Sequence, residues 1–327
     1  MILIDLVYIN SPGGVTLSKL LLDYIIDKVM SSNFEILVDK RNFKYFEGYK
    51  IKQNIISKSE FSRYFFYKKR NFKSVLCFAN VPPPLSIKSK TFIYFHNEIL
   101  LNPKNLNFSL IKEYLFNLKW IYIKSRNDNY TWLVQTEHVK ILLKEKLKVN
   151  SILKYPIYNN QKKFFTSNKI SSTFFYPTSN QPHKNNVRLI NAFINASKKT
   201  NKQIILSLTI DKIKVDLPHN LKINFLGLIP LNKLIEKLEE SEFMIFPSLK
   251  ESFGLPLIEG VQANCKIIAS NLNYVNELVK PTFTFNPYDE KSISEFILLA
   301  LSSKKQPKSS IKVKNSMDLL INKLINV

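Results

Sequence analysis

The sequence predicts an α/β chain built from two doubly wound parallel sheets, and three observations carry that prediction. Short runs of β-branched and aromatic residues alternate with amphipathic stretches along the whole chain. The alternation occurs twice, on either side of a polar segment at Tyr158–Ser172. Five of the six glycines sit at or beside strand-to-helix junctions, where doubly wound sheets bind ligands.

In the first half, strands are expected at Leu3–Ile9, Glu35–Val38, Val75–Phe78, Phe92–Phe95 and Thr131–Gln135. Helices are expected at Val15–Met30, Ser109–Tyr122 and Glu137–Leu147. In the second half the expected strands are Thr173–Tyr176, Ile204–Leu208, Ile223–Leu226, Phe243–Pro247 and Lys266–Ala269. The helices are Val187–Lys199, Leu231–Glu240, Pro256–Ala263, Glu290–Leu301 and Val313–Ile325. The expected domains are 1–157, a linker 158–172, a second domain 173–309, and a C-terminal helical segment 310–327 that returns to the first domain.

Length and composition fit this plan. The 327 residues are 45% hydrophobic, enough for two cores. No stretch approaches the ~18 apolar residues of a spanning helix, and residues 1–10 lack the basic start of a signal peptide. Cys77 and Cys265 are too few for a disulfide framework, so a reducing cytoplasmic setting is expected. The net charge of +23 is unevenly placed: residues 51–200 carry 26 basic and 6 acidic residues, whereas 201–300 carry 10 and 12. Such a block suits phosphates or anionic lipid. The alternative is a compositional bias toward Lys, Asn and Ile.

The most specific segment is Phe246-Pro-Ser-Leu-Lys-Glu251-Ser-Phe253-Gly254-Leu255-Pro-Leu-Ile-Glu259-Gly260, continuing to Ile268-Ala-Ser270. A buried strand ends at Pro247, a loop carries Glu251, and a helix begins near Leu255 with Glu259 in its first turns. Two carboxylates thereby reach one crevice as acceptors for sugar hydroxyls. The helix start beside Gly254 offers free N–H groups to a phosphate.

This segment resembles the glutamate-x7-glutamate signature of family-4 glycosyltransferases, retaining enzymes of GT-B fold, with two Rossmann-like doubly wound domains facing a central cleft. The resemblance implies that Glu251 contacts the donor sugar and Glu259 the ribose, with Phe253, Gly254 and Leu255 lining the donor site. Asn10-Ser-Pro-Gly13-Gly14-Val15 resembles the family's glycine loop near the donor phosphates. His96, ending Phe92–His96, stands where the family often places a histidine facing the donor sugar. The alternatives are a structural histidine and a simple glycine turn. Thr136 fits the family's strand-to-helix step and also an N-cap, the preferred reading.

One stretch departs from the family. Where an arginine and, five residues on, a lysine would hold the donor diphosphate, this chain reads Ser179-Asn-Gln-Pro182-His183-Lys184-Asn185. Lys184 matches the lysine; Ser179 stands in the arginine position. His183, Arg188 or the Ser179 hydroxyl would have to compensate.

The resemblance implies an enzyme: transfer of a hexosyl group from a nucleotide-diphosphate sugar to a glycan or polyprenyl-diphosphate-linked acceptor in surface-polysaccharide biosynthesis, O-antigen, capsule or lipopolysaccharide. On this reading Glu251, His96 and Lys184 are the catalytic set. No Asp-x-Asp cluster occurs, so no metal or other cofactor is expected. The rival readings are a nucleotide-sugar 2-epimerase of the same fold, a basic nucleic-acid-binding protein, and a non-catalytic lipid- or phosphate-binding scaffold. Near-neutral flanks and the lack of a binding motif argue against nucleic acid. Finally, Lys58–Lys73 interleaves Lys58, Arg63, Lys68, Lys69, Arg70 and Lys73 with Phe61, Tyr64, Phe65, Phe66, Tyr67 and Phe72. This suits a peripheral location on the cytoplasmic leaflet; the alternative is a core helix with solvated cations.

Overall fold

The computed structural model describes residues 1–101, 110–126, 130–149, 151–160, 168–302 and 305–327. They divide into two units, the first Met1–Asn160 with Lys314–Val327 and the second Gln161–Val313.

The first unit runs β1 (Ile2–Asp5), α1 (Pro12–Asp27), β2 (Phe34–Asp39), β3 (Lys52–Ile56), α2 (Glu60–Lys68), β4 (Ser74–Cys77), β5 (Lys90–Phe95), α3 (Leu110–Ser125), β6 (Thr131–Val134), α4 (Glu137–Leu147) and β7 (Ile152–Lys154). Its sheet order is β3-β2-β1-β4-β5-β6-β7, and every pairing is parallel. Every residue of β1, β2, β4 and β6 is buried, as expected where helices cover both faces. Among the strands the sequence did not announce are the edges β3 and, in the same sheet, β7. β3 reads Lys-Gln-Asn-Ile-Ile and is half-exposed, so no apolar run betrays it.

The second unit runs β8 (Ile170–Tyr176), α5 (Asn186–Ser197), β9 (Ile204–Leu208), β10 (Leu221–Phe225), α6 (Leu231–Glu240), β11 (Ser241–Phe246), α7 (Leu255–Gln262), β12 (Lys266–Ser270), α8 (Asn273–Leu278), β13 (Val279–Lys280), β14 (Phe283–Phe285), α9 (Glu290–Ser302) and β15 (Ser310–Ile311). The order β10-β9-β8-β11-β12-β14 is again all parallel, while β13 and β15 form a small antiparallel pair. Helix α10 (Met317–Ile325) then packs in the first unit: Ser74 Oγ donates to Leu324 O, and Ser316 N to Pro156 O.

Several boundaries differ from the sequence reading: β1 ends at Asp5 rather than Ile9, α1 spans Pro12–Asp27 rather than Val15–Met30, and two more have plain causes. β8 begins at Ile170, inside the stretch read as linker, because its first residues, Ile170 and Ser171, are exposed and its apolar run starts only at Phe174. Residues 161–167 of that stretch lie outside the described residues. The last helix starts at Met317; residues before it supply β15.

Each sheet reverses its order beside its first strand, between β1 and β4 and between β8 and β11. Loops leaving the carboxyl ends of those strands border the crevice where open α/β sheets bind ligands. In the second unit these are 177–185 and 247–254. Close packing holds α7 there: a Cβ on Gly260 would lie 2.3 Å from Met244 Sδ on β11 and 2.9 Å from Ile267 Cδ1 on β12.

Candidate active site

Lys184 follows β8 and Glu251 follows β11, so the switch point brings residues 67 positions apart together. Lys184 Nζ donates to Glu251 Oε1 at 2.6 Å, both side chains being less than one-fifth exposed. The ammonium also lies 5.9 Å over the Phe246 ring. Below it, Tyr176 Oη donates to the Lys184 carbonyl. Burial and the Glu251 charge push the phenols of Tyr176 and Tyr274 well above their ordinary pKa, so both remain neutral donors.

Asn185 locks the two loops. Its backbone is left-handed (φ 62°), a conformation asparagine tolerates. Its Nδ2 donates to Pro247 O and Pro287 O, while Leu249 N and Ser248 Oγ donate to the His183 carbonyl. The sequence reading quoted Asn185 without giving it a role. The signal was there: an asparagine directly after Pro-His-Lys and before a helix.

Gly254 caps α7 at φ 99°, backbone that only glycine adopts freely. Phe253 is buried beneath the cap, Leu255 opens the helix half-buried, and Glu259 stands half-exposed on its second turn. The first N–H groups of α7 therefore emerge beside the loop carrying Glu251, an arrangement that attracts an anion. Ser179 is half-exposed, and its carbonyl accepts from Asn186 Nδ2. Neither candidate substitute for the arginine is free. Arg188 Nη1 donates to Asn185 Oδ1 and Pro287 O, and His183 is buried. Lys184 is thus the cation that these loops place beside Glu251. Among the described residues no group of three His, Cys, Asp or Glu side chains is placed to hold a metal ion.

Gly13, Gly14 and His96 belong to the first unit. Ser11 caps α1 by accepting from Gly14 N, with Pro12 at the first helical position. A Cβ on Gly14 would lie 3.5 Å from His96 Cε1, so the glycine loop and the histidine adjoin. His96 Nε2 donates to Phe78 O at 2.9 Å, leaving Nδ1 as the atom able to accept. Thr136 Oγ1 accepts from Val139 N and caps α4.

Burial pushes the His96 pKa down from 6.5 to about 4, so the ring is neutral at physiological pH. Between these values the unfolded chain binds the proton and the folded chain does not, so stability falls as pH drops from 6.5 toward 4. Urea melts at pH 7 and pH 5 should show this loss, and His96→Asn should shrink it. An unchanged loss in the variant would contradict the assignment.

Two parallel doubly wound units, with a Lys–Glu pair and a glycine-capped helix at the switch point of the second, define the class as GT-B. Residues 158–316, just under half of the chain, match the family model of glycosyl transferases group 1. The O-antigen chain mannosyltransferase RfbU of Salmonella typhimurium is 28% identical over 148 residues, 42% of this chain and 41% of the relative. The alignment thus spans less than half the length of that curated relative. Among solved structures, sucrose-phosphate synthase from Thermosynechococcus elongatus superposes with a TM-score of 0.63 at 12% identity, covering 93% of this chain and 90% of that one. WaaG, a glycosyltransferase involved in lipopolysaccharide biosynthesis, gives 0.63 at 11% identity, with 93% and 91% covered. At these identities the likeness shows the fold.

Proposed function

We propose that the chain is a retaining hexosyltransferase that moves a sugar from a nucleotide-diphosphate donor to a glycan or lipid-linked acceptor in surface-polysaccharide biosynthesis. The observation that carries this reading is the Lys184–Glu251 pair beside the α7 N-terminus. Cleaving the anomeric C–O bond builds negative charge on the leaving diphosphate. Lys184 and the α7 N–H groups meet that charge. Glu251 then receives the donor sugar's hydroxyls, and Glu259 the ribose. Attack and departure occur on one face of the sugar, with the leaving phosphate taking the acceptor's proton. The cationic role falls to Lys184 rather than to a metal.

Because the curated relative is a mannosyltransferase, mannose-bearing nucleotide sugars are the first donors to test. The enzyme should move radiolabel from a nucleotide sugar into a lipid-linked or glycan fraction. Label recovered only as an isomerised nucleotide sugar would favour the 2-epimerase reading.

We also place the enzyme on the cytoplasmic face of a membrane. The helix α2 divides the basic-aromatic segment in two. Arg63 and Tyr67 are buried, while Phe61 and Phe65 are 78% and 53% exposed beside exposed Lys68 and Lys69. Helix α3, joined to α2 through Tyr122 and Glu60, exposes Tyr114, Leu118 and Ile121 on one side. No described helix is long and apolar enough to cross a membrane; an aromatic and cationic surface of this kind suits an anionic bilayer interface instead. Each lysine near such a surface adds about 1 kcal/mol. Co-sedimentation with anionic vesicles is expected at low salt, weakening with added salt and with Lys68→Ser and Lys69→Ser combined. Protein that stays in the supernatant at low salt would sink the membrane assignment.

A further inference from the structure

The strands of the first sheet run parallel, and the glycine loop and His96 lie beyond their carboxyl ends. At the opposite end of the sheet, where β4, β5 and β6 begin, the same unit carries an open groove of about 820 Å3. Ligand pockets commonly hold roughly 300–1,000 Å3. Lys73 leads into β4, and Lys90 opens β5 two residues after Lys88. Ser74 stands opposite Lys90 in the parallel register, so the three lysines come from adjacent strand starts, and all three line the groove.

The fold holds this groove in place. Ser89 Oγ accepts from Phe72 N at 3.3 Å and donates to Phe72 O at 2.6 Å, which ties the approach to β5 to the approach to β4. Thr91 Oγ1 donates to Ser89 O, and the lining residues Thr91 and Tyr130 are buried. Lys73 Nζ donates to Ile325 O and Ser74 Oγ to Leu324 O, so the end of α10 closes one side with Val327.

Its charge has no counterpart. Among the described residues no Asp or Glu lines the groove. Glu35, on β2 at the same end of the sheet, is already taken by Lys52 Nζ at 3.2 Å and Arg70 Nη1 at 3.3 Å. Lys88 and Lys90 are exposed, and among the described residues neither makes a hydrogen bond or an ion pair. Against three ammoniums stands at most one carboxylate, that of Val327. Cations at helix carboxyl ends answer the helix dipole, but these three precede strands, and sheets have only small net dipoles. Like charges gathered in one groove repel. A phosphate placed among them turns that repulsion into attraction, since lysine binds phosphate as a point charge. We propose that the groove is a phosphate-binding site, separate from the donor site, for a molecule or headgroup carrying phosphate charge. The proposal does not rest on the transferase reading.

Calorimetric titration of the full chain with inorganic pyrophosphate tests this, run in Lys184→Ala so that the donor loop's cation is absent. One saturable site is expected, weakening with added salt. Lys88→Ser and Lys90→Ser combined should lower its affinity about tenfold or more, the loss expected when two charge-assisted contacts go. Lys68→Ser and Lys69→Ser combined remove the same charge from the end of α2, outside the groove, and should leave the affinity nearly unchanged. No saturable binding in Lys184→Ala overturns the proposal. So does a loss no larger for the groove pair than for the α2 pair, because that means diffuse attraction to a basic surface.

Two further probes separate the sources of the phosphate. Fructose 1,6-bisphosphate offers it in solution, and vesicles of phosphatidylglycerol in phosphatidylcholine offer it at a bilayer. Bisphosphate binding that needs Lys88 and Lys90 makes the ligand a soluble one. Vesicle co-sedimentation that needs them, without bisphosphate binding, makes it a lipid headgroup. Either result upholds the site. Pyrophosphate binding that neither probe reproduces confines the groove to inorganic anions and overturns the assigned ligand class. A chain that transfers no sugar yet binds pyrophosphate through Lys88 and Lys90 keeps the site and loses only the transferase reading.

Discussion

Replacing Lys184 by alanine is expected to lower kcat/KM by on the order of 10² or more, roughly 3 kcal/mol of transition-state stabilisation. The size follows from the site's composition. The resemblance implies two cations on the donor diphosphate; here Ser179 occupies one position, and Arg188 is spent on Asn185 and Pro287. Lys184 carries the remaining charge, less than one-fifth exposed and held by the Asn185 lock, so little reorganisation accompanies bond breaking. Steady-state kinetics with the cognate donor check this. Activity within a factor of two of the parent would show that the diphosphate is held elsewhere.

The largest effect on stability is expected at Arg63. Its side chain is 2% exposed and pairs with an equally buried Asp5 at 2.9 Å. The pair sits among Tyr67 and Cys77, whose thiol burial pushes up to about 12. Arg63→Met would leave the Asp5 carboxylate buried with only Val7 N and Tyr67 Oη, and strip donors from the carbonyls of Val81 and Pro82. Breaking such a pair from one side costs about 3–5 kcal/mol. Both tryptophans, Trp120 and Trp132, lie in the first unit, so urea melts followed by their fluorescence read that unit. A loss below about 1 kcal/mol would contradict the expected cost.

Central strands and long helices were legible because burial on both faces leaves an uninterrupted apolar run. Ile204–Leu208, Leu231–Glu240 and Glu137–Leu147 lie where the sequence places them, residue for residue. The edge strands β3, β7 and β14 were not, being short or partly solvated: Lys52–Ile56 carries no more apolar signal than a loop. The donor-side motif was legible through its flanks, since a strand end, a glycine at positive φ and a helix start all leave marks in sequence. The mutual contact of Lys184 and Glu251 was not, because it depends on strand order rather than spacing. The basic-aromatic segment reads in sequence either as a membrane-facing surface or as a core helix with solvated cations, and the structure is wholly neither. Helical periodicity splits it, turning Arg63 and Tyr67 inward and Phe61 and Phe65 outward.

Calorimetric titration of the full chain with UDP, GDP, ADP and dTDP addresses the central claim that the second unit is a nucleotide-sugar site. One of these nucleotides is expected to bind at a single site. Glu259→Ala should weaken that binding, because a ribose contact is made equally in ground and transition states. Glu251→Ala should leave nucleotide binding nearly intact while turnover falls. No heat from any of the nucleotides, or binding that survives Glu259→Ala and Lys184→Ala together, would contradict the account.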